Sequence, residues 1–109
     1  MQPPIIVSDN GDVLFFKTVA LAERYIEPWL LEELAAYDSQ GRKLNVKPDG
    51  FITSFETLEA EPNHSRELEE LVSSYLLKVA GRFELSKDWI RRASLSELIE
   101  IGITKCETK

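Results

Sequence analysis

His64 is the only histidine in this 109-residue chain, and it limits the catalysis the sequence can support. A Ser-His-acid relay would need it as the base, with a serine held within reach. It stands in Pro62-Asn63-His64-Ser65, no Gly-x-Ser-x-Gly elbow occurs, and nothing near it in sequence activates a serine. We read it as a solvated residue in the first turn of a helix. Metal binding requires several His, Cys or carboxylate donors to converge. One histidine, one cysteine (Cys106) and no His-Glu-x-x-His pattern do not supply that set. Asp9-Asn10-Gly11-Asp12 begins like a calcium loop, but Ala20 stands where such a loop needs its closing glutamate. Gly11, Gly41, Gly50, Gly81 and Gly102 are isolated from one another, so no glycine-rich loop can cradle a phosphate. The residues point to a protein that is not an enzyme and needs no metal or cofactor.

The acidic residues offer a different chemistry. Glu56, Glu59, Glu61, Glu67, Glu69 and Glu70 fall within a short stretch that contains one basic residue, Arg66. Acidic side chains near a helix N-terminus are favoured by the macrodipole, which accounts for part of the run on structural grounds. The same residues can form a negative surface that steers toward a cationic partner. Glu56, Glu59, Glu61, Glu67 and Glu70 are the residues we assign to that surface. Arg42, Lys43 and Lys47 form a smaller basic group, read as a solvated strand face. Trp29 and Trp89 read as core or edge packing, with an interface anchor as the alternative.

The elements that position these residues follow from spacing and turn chemistry. Ile5–Ser8 and Val13–Lys17 read as two strands around the Asp9-Asn10-Gly11-Asp12 turn. In the second strand Val13 and Phe15 face one way and Leu14 and Phe16 the other, so both faces are apolar. A central strand covered on both sides is the expectation. Thr18 caps a helix reaching about Glu27, with Ala22, Tyr25 and Ile26 on one side and Pro28 stopping or kinking it. Glu33–Asp38 is ambiguous between helix and strand and is assigned as strand. Arg42–Lys47 returns, Pro48-Asp49-Gly50 turns, and Phe51–Glu59 alternates with Thr53 and Phe55 on one face. Asn63 is the expected cap of a long helix carrying Leu68, Leu71, Val72, Tyr75, Leu76 and Val79, stopped by Gly81. Ser86 caps a short helical turn with Trp89 and Ile90. Ser94-Leu95-Ser96-Glu97 is a capping box for a last helix ending at Gly102. The sum is one α+β domain over residues 1–109: an antiparallel sheet of about five strands packed against helices, in the order ββα-βββ-αα.

Bulk properties bound the function further. A chain of this length makes one domain. Nineteen acidic against 13 basic residues give a net charge of −6, which argues against binding a phosphate backbone, since that requires clustered Lys and Arg. The lone cysteine suggests a reducing, cytoplasmic setting. We expect neither a signal peptide nor a membrane span: Met1-Gln2-Pro3-Pro4 has no basic start, and no apolar run approaches the ~18 residues a span needs.

Three stretches carry a family resemblance: Pro4-Ile5-Ile6-Val7 with Asn10-Gly11-Asp12-Val13 and Phe16, then Ala22-Glu23-Arg24-Tyr25-Ile26-Glu27-Pro28, then Tyr37-Asp38-Ser39-Gln40-Gly41-Arg42. Together they resemble small bacterial immunity proteins of contact-dependent inhibition and polymorphic toxin systems. The likeness covers most of the first 45 residues. In the second half it extends only to the plan of a long amphipathic helix followed by a Ser-Leu-x-Glu-Leu-Ile helix. Trp29-Leu30-Leu31-Glu32-Glu33 departs from the more polar connection expected of the group. The resemblance implies stoichiometric inhibition in the cytoplasm. Its expected partner is a cognate protein toxin domain whose active site or groove the protein covers, with neither nucleic acid nor membrane as a ligand. An acidic surface then mimics phosphate before a basic nuclease cleft. The alternative is a small homodimeric structural or adaptor module pairing through strand Val13–Phe16 or a sheet edge. The expected state is a monomer or a weak homodimer.

Overall fold

A computed structural model describes residues 1–26, 34–50 and 52–105. Strand β1 (Ile5–Asp9) pairs antiparallel with β2 (Asp12–Phe16), from Ile5 opposite Phe16 to Asp9 opposite Asp12. Asn10 and Gly11 close this hairpin at φ of 49° and 91°, the left-handed pair a two-residue turn of matching twist requires. Helix α1 (Val19–Tyr25) starts at Thr18, whose hydroxyl accepts from the Leu21 amide at 3.2 Å. Strands β3 (Leu34–Tyr37), β4 (Lys43–Asp49) and β5 (Ile52–Thr57) complete an all-antiparallel sheet in the order β2-β1-β3-β4-β5. Helices α2 (Ser65–Phe83), α3 (Lys87–Arg92) and α4 (Leu95–Lys105) follow. The expected α+β class and element order hold, and Leu34–Tyr37 is strand. Glu27, Pro28, Trp29, Glu33, Phe51 and Cys106 lie outside the described residues.

The period-2 alternation of β1 and β2 divides the sheet between two cores. Ile6, Val13, Phe15 and Tyr37 pack with Leu68, Val72, Leu76, Ile90, Leu98 and Ile99 of the three C-terminal helices. Ile5, Val7, Phe16, Ala36, Leu44 and Phe55 pack on the opposite face with Ala22 of α1 and with Ile26, the residue that follows it. Full burial of each large side chain contributes roughly 1.5–3 kcal/mol relative to exposure, so both layers are substantial.

Strand β2 is covered on both faces, as its pattern requires, but it is an edge strand and not a central one. The chain supplies both covers from its own helices, so the two-sided apolar pattern reports helix coverage and not a neighbour on each side. In the β4–β5 hairpin, Pro48 and Asp49 belong to the strand and not to the turn that the Pro48-Asp49-Gly50 signature suggests. Pro48 pairs with Thr53 and Asp49 with Ile52 inside the ladder. Among the described residues this half of β4 pairs only with β5, and a proline can sit where its missing donor is not needed.

Four helix boundaries move. Helix α1 ends at Tyr25, with Ile26 already extended, short of the expected Glu27. His64, not Asn63, occupies the N-cap of α2 and makes no side-chain cap there. Gly81 lies within α2, which ends instead at Glu84 in the left-handed region (φ 55°, ψ 43°), with the Glu84 and Leu85 amides both returning to the Ala80 carbonyl. Gly102 lies within α4: a Cβ there would come within 2.5 Å of the Phe15 ring, so it is a packing glycine. The Ser86 cap and the Ser94–Glu97 capping box form as the sequence indicates.

Candidate functional site

The turn between β3 and β4 sets where the acidic helix begins. Asp38 is fully buried, and its carboxylate accepts from the amides of Gln2, Gln40 and Arg42 and from the Arg42 guanidinium at 3.2 Å. Burial alone would raise the Asp38 pKa, but these four donors outweigh it and hold the group below its ordinary value. Arg42, expected on a solvated strand face, is therefore part of the turn, and it also donates to the Ala60 carbonyl at 2.8 Å. Beside it, Gly41 (φ 93°) lets α2 approach: a Cβ there would fall 2.3 Å from Ser65 Cα, and the Gly41 carbonyl accepts from the His64 amide at 3.0 Å.

With α2 docked on this turn, Tyr37 of β3 reaches it. The Tyr37 hydroxyl donates to a Glu67 carboxylate oxygen. Burial first, and then the carboxylate beside it, push the Tyr37 pKa well above its ordinary value, so the group stays protonated and donates. Glu67 remains exposed while held from beneath.

Glu67 and Glu70 line one cleft of about 470 Å³ between α2 and the β1–β2 hairpin. Its apolar lining comes from Val13, Leu71 and Tyr75, and Ser8 and Ser74 add hydroxyl groups. Lys78 lines the same cleft farther along α2, with its ammonium beside Gly11 of the hairpin turn. Among the described residues no ion pair involves Glu67, Glu70 or Lys78.

The other three assigned glutamates are placed differently. Glu59 is largely covered and accepts from the Lys43 amide at 2.9 Å and from His64 Nδ1 at 2.7 Å, tying the loop before α2 to β4. The Lys43 amide, followed by His64, holds the Glu59 carboxyl below its ordinary value. Glu56 is half-exposed on β5 and pairs with Lys47 at 2.6 Å. Glu61 is exposed in the loop before α2, where its carbonyl accepts from the Asn63 amide at 2.8 Å. None of these three lines the cleft that Glu67 and Glu70 share.

His64 is thus half of an imidazole–carboxylate pair rather than a solvated residue. Among the described residues no hydroxyl or thiol bonds to its Nε2 that could serve as a nucleophile. Among the same residues no group of three His, Cys, Asp or Glu could hold a metal ion, and no helix is long and apolar enough to cross a membrane. A second cleft, of about 500 Å³, is lined by Pro4, Gln40, Ile99, Glu100 and Ile103 and contains none of the assigned glutamates.

Sequence reasoning missed Asp38 and Tyr37. An aspartate two residues before an amide it can accept is a recognisable turn signal, so Asp38 could have been found. The Tyr37–Glu67 contact joins residues 30 positions apart and left no local mark. Compared with known proteins, the chain matches no family model, no curated protein and no solved structure.

Proposed function

We propose that this is a non-catalytic binding protein, an immunity protein that neutralises a cognate toxin domain through an acidic surface on the N-terminal half of α2. One observation carries the reading. Glu67 and Glu70 are exposed on the same side of α2, beside a cleft, and among the described residues neither is neutralised by a basic side chain. Glu56, by contrast, is neutralised by Lys47, and Glu59 is used up in holding a loop. Carboxylates without an ion-pair partner on a rigid helix give a fixed negative field, which raises association rates with a basic cleft. The net charge of −6 works in the same direction. The resemblance of the first 45 residues to immunity proteins supplies the biological setting.

The test is complex formation. The gene beside this one is expected to encode a large secreted effector, and its C-terminal toxin domain should co-purify with the protein at one-to-one stoichiometry and lose activity. An unrelated metabolic neighbour, or turnover of a substrate by the purified protein alone, contradicts the reading.

A further inference from the structure

We propose that the cleft between α2 and the β1–β2 hairpin takes a linear segment of a partner protein, seating a basic residue at Glu67 and Glu70 and an acidic residue at Lys78. This rests on the reading of the protein as a partner-binding module and specifies the chemistry of what it binds.

The argument is one of charge complementarity along a lined cleft. Glu67 and Glu70 lie less than one turn apart on α2, and Lys78 lies two turns beyond Glu70 and lines the same cleft. Eight residues of helix separate Glu70 from Lys78 by about 12 Å. An extended chain covers that distance in about four residues. The cleft therefore fits a segment with a Lys or Arg and, four positions away, an Asp or Glu. Between the two charged ends Val13, Leu71 and Tyr75 offer an apolar lining for a small apolar side chain or for the methylenes of the basic one. The hydrogen bond from Tyr37 fixes Glu67 from the protein side, so that carboxylate meets its partner with little ordering left to do. A uniformly basic segment is disfavoured because one end would face Lys78.

The probe is acetyl-Arg-Ala-Val-Ala-Glu-amide, with analogues carrying arginine at both ends or glutamate at both ends. Each is titrated into the ¹⁵N-labelled full chain and followed by amide chemical shifts. The mixed peptide is expected to move the amides of Gly11, Val13, Leu71 and Tyr75 and to bind about threefold more tightly than either analogue, the ratio exposed ion pairs give. Lys78→Glu, on an exposed helical position, should invert the order so that the doubly basic peptide binds best; unmoved amides elsewhere report that the fold is intact. Equal binding of all three peptides, an order insensitive to Lys78→Glu, or shifts confined to other surfaces overturns the proposal. Movement of the cleft amides with protein concentration alone assigns the cleft to a second copy and overturns it too. The titration uses no toxin. A cleft that selects the mixed peptide in a protein that ignores its neighbouring effector contradicts the proposed function only, and a toxin complex that leaves the cleft amides unmoved contradicts this inference only.

Discussion

Tyr37 and Glu67 join the sheet to the acidic helix: a buried phenol on β3 donates to an exposed carboxylate on the first turn of α2. The bond makes a surface charge part of the core's geometry. Tyr37→Phe keeps the ring and removes the hydroxyl, and should lower unfolding stability by about 1 kcal/mol, measured by urea titration. The wild-type phenol also carries a pH signature. Its pKa is raised in the folded protein, so its contribution is intact below the unfolded value near 10 and declines as pH rises above it. Alkaline spectrophotometric titration of wild type against Tyr37→Phe should show that the Tyr37 phenol resists ionisation until the protein unfolds.

Asp38 carries the opposite linkage. Its pKa is depressed in the folded state, so its stabilisation is complete above the unfolded value near 3.9 and is lost as pH falls below that toward the folded value. Asp38→Asn should cost about 2–3 kcal/mol at pH 7, and the difference from wild type should shrink on acidification below about pH 4. Glu59 and Glu97, also depressed, keep some acid sensitivity in the variant. A difference that stays constant from pH 7 to pH 2 contradicts the role given to the carboxylate.

Glu84 ends α2 in the left-handed region, where a Cβ is unfavourable. Glu84→Gly should therefore stabilise the protein by about 0.5–1 kcal/mol, visible as a higher urea midpoint with an unchanged slope. A lower midpoint would mean that the Glu84 side chain contributes more than its backbone strain costs.

The fold was legible where local chemistry decides it. Asn10-Gly11, Thr18, Ser86 and the Ser94–Glu97 box each act on amides a few residues away, and each forms as its sequence suggests. What the sequence could not carry was placement across the sheet. The apolar pattern of β2 is the same for a central strand and for an edge strand roofed on both faces, and the chain builds the second. Gly81 and Gly102 look like helix stops by type, yet one lies inside α2 and the other makes room for Phe15, a contact that spans most of the chain. At the candidate site the run of glutamates was plain, but its division into carboxylates engaged at Lys47 and His64 and carboxylates beside a cleft depends on where β4 and the α2 N-terminus meet.

The central claim is that the carboxylates of Glu67 and Glu70 are what the protein offers a basic partner. The most direct measurement is the association rate with the neighbouring effector's toxin domain, by stopped flow at low and physiological salt, for wild type and for Glu67→Lys/Glu70→Lys. The double reversal should slow association by roughly tenfold or more at low salt, with a smaller effect at high salt, while stability falls by only about the 1 kcal/mol that goes with the Tyr37–Glu67 hydrogen bond. An association rate that is unchanged by the reversal and indifferent to salt contradicts the account.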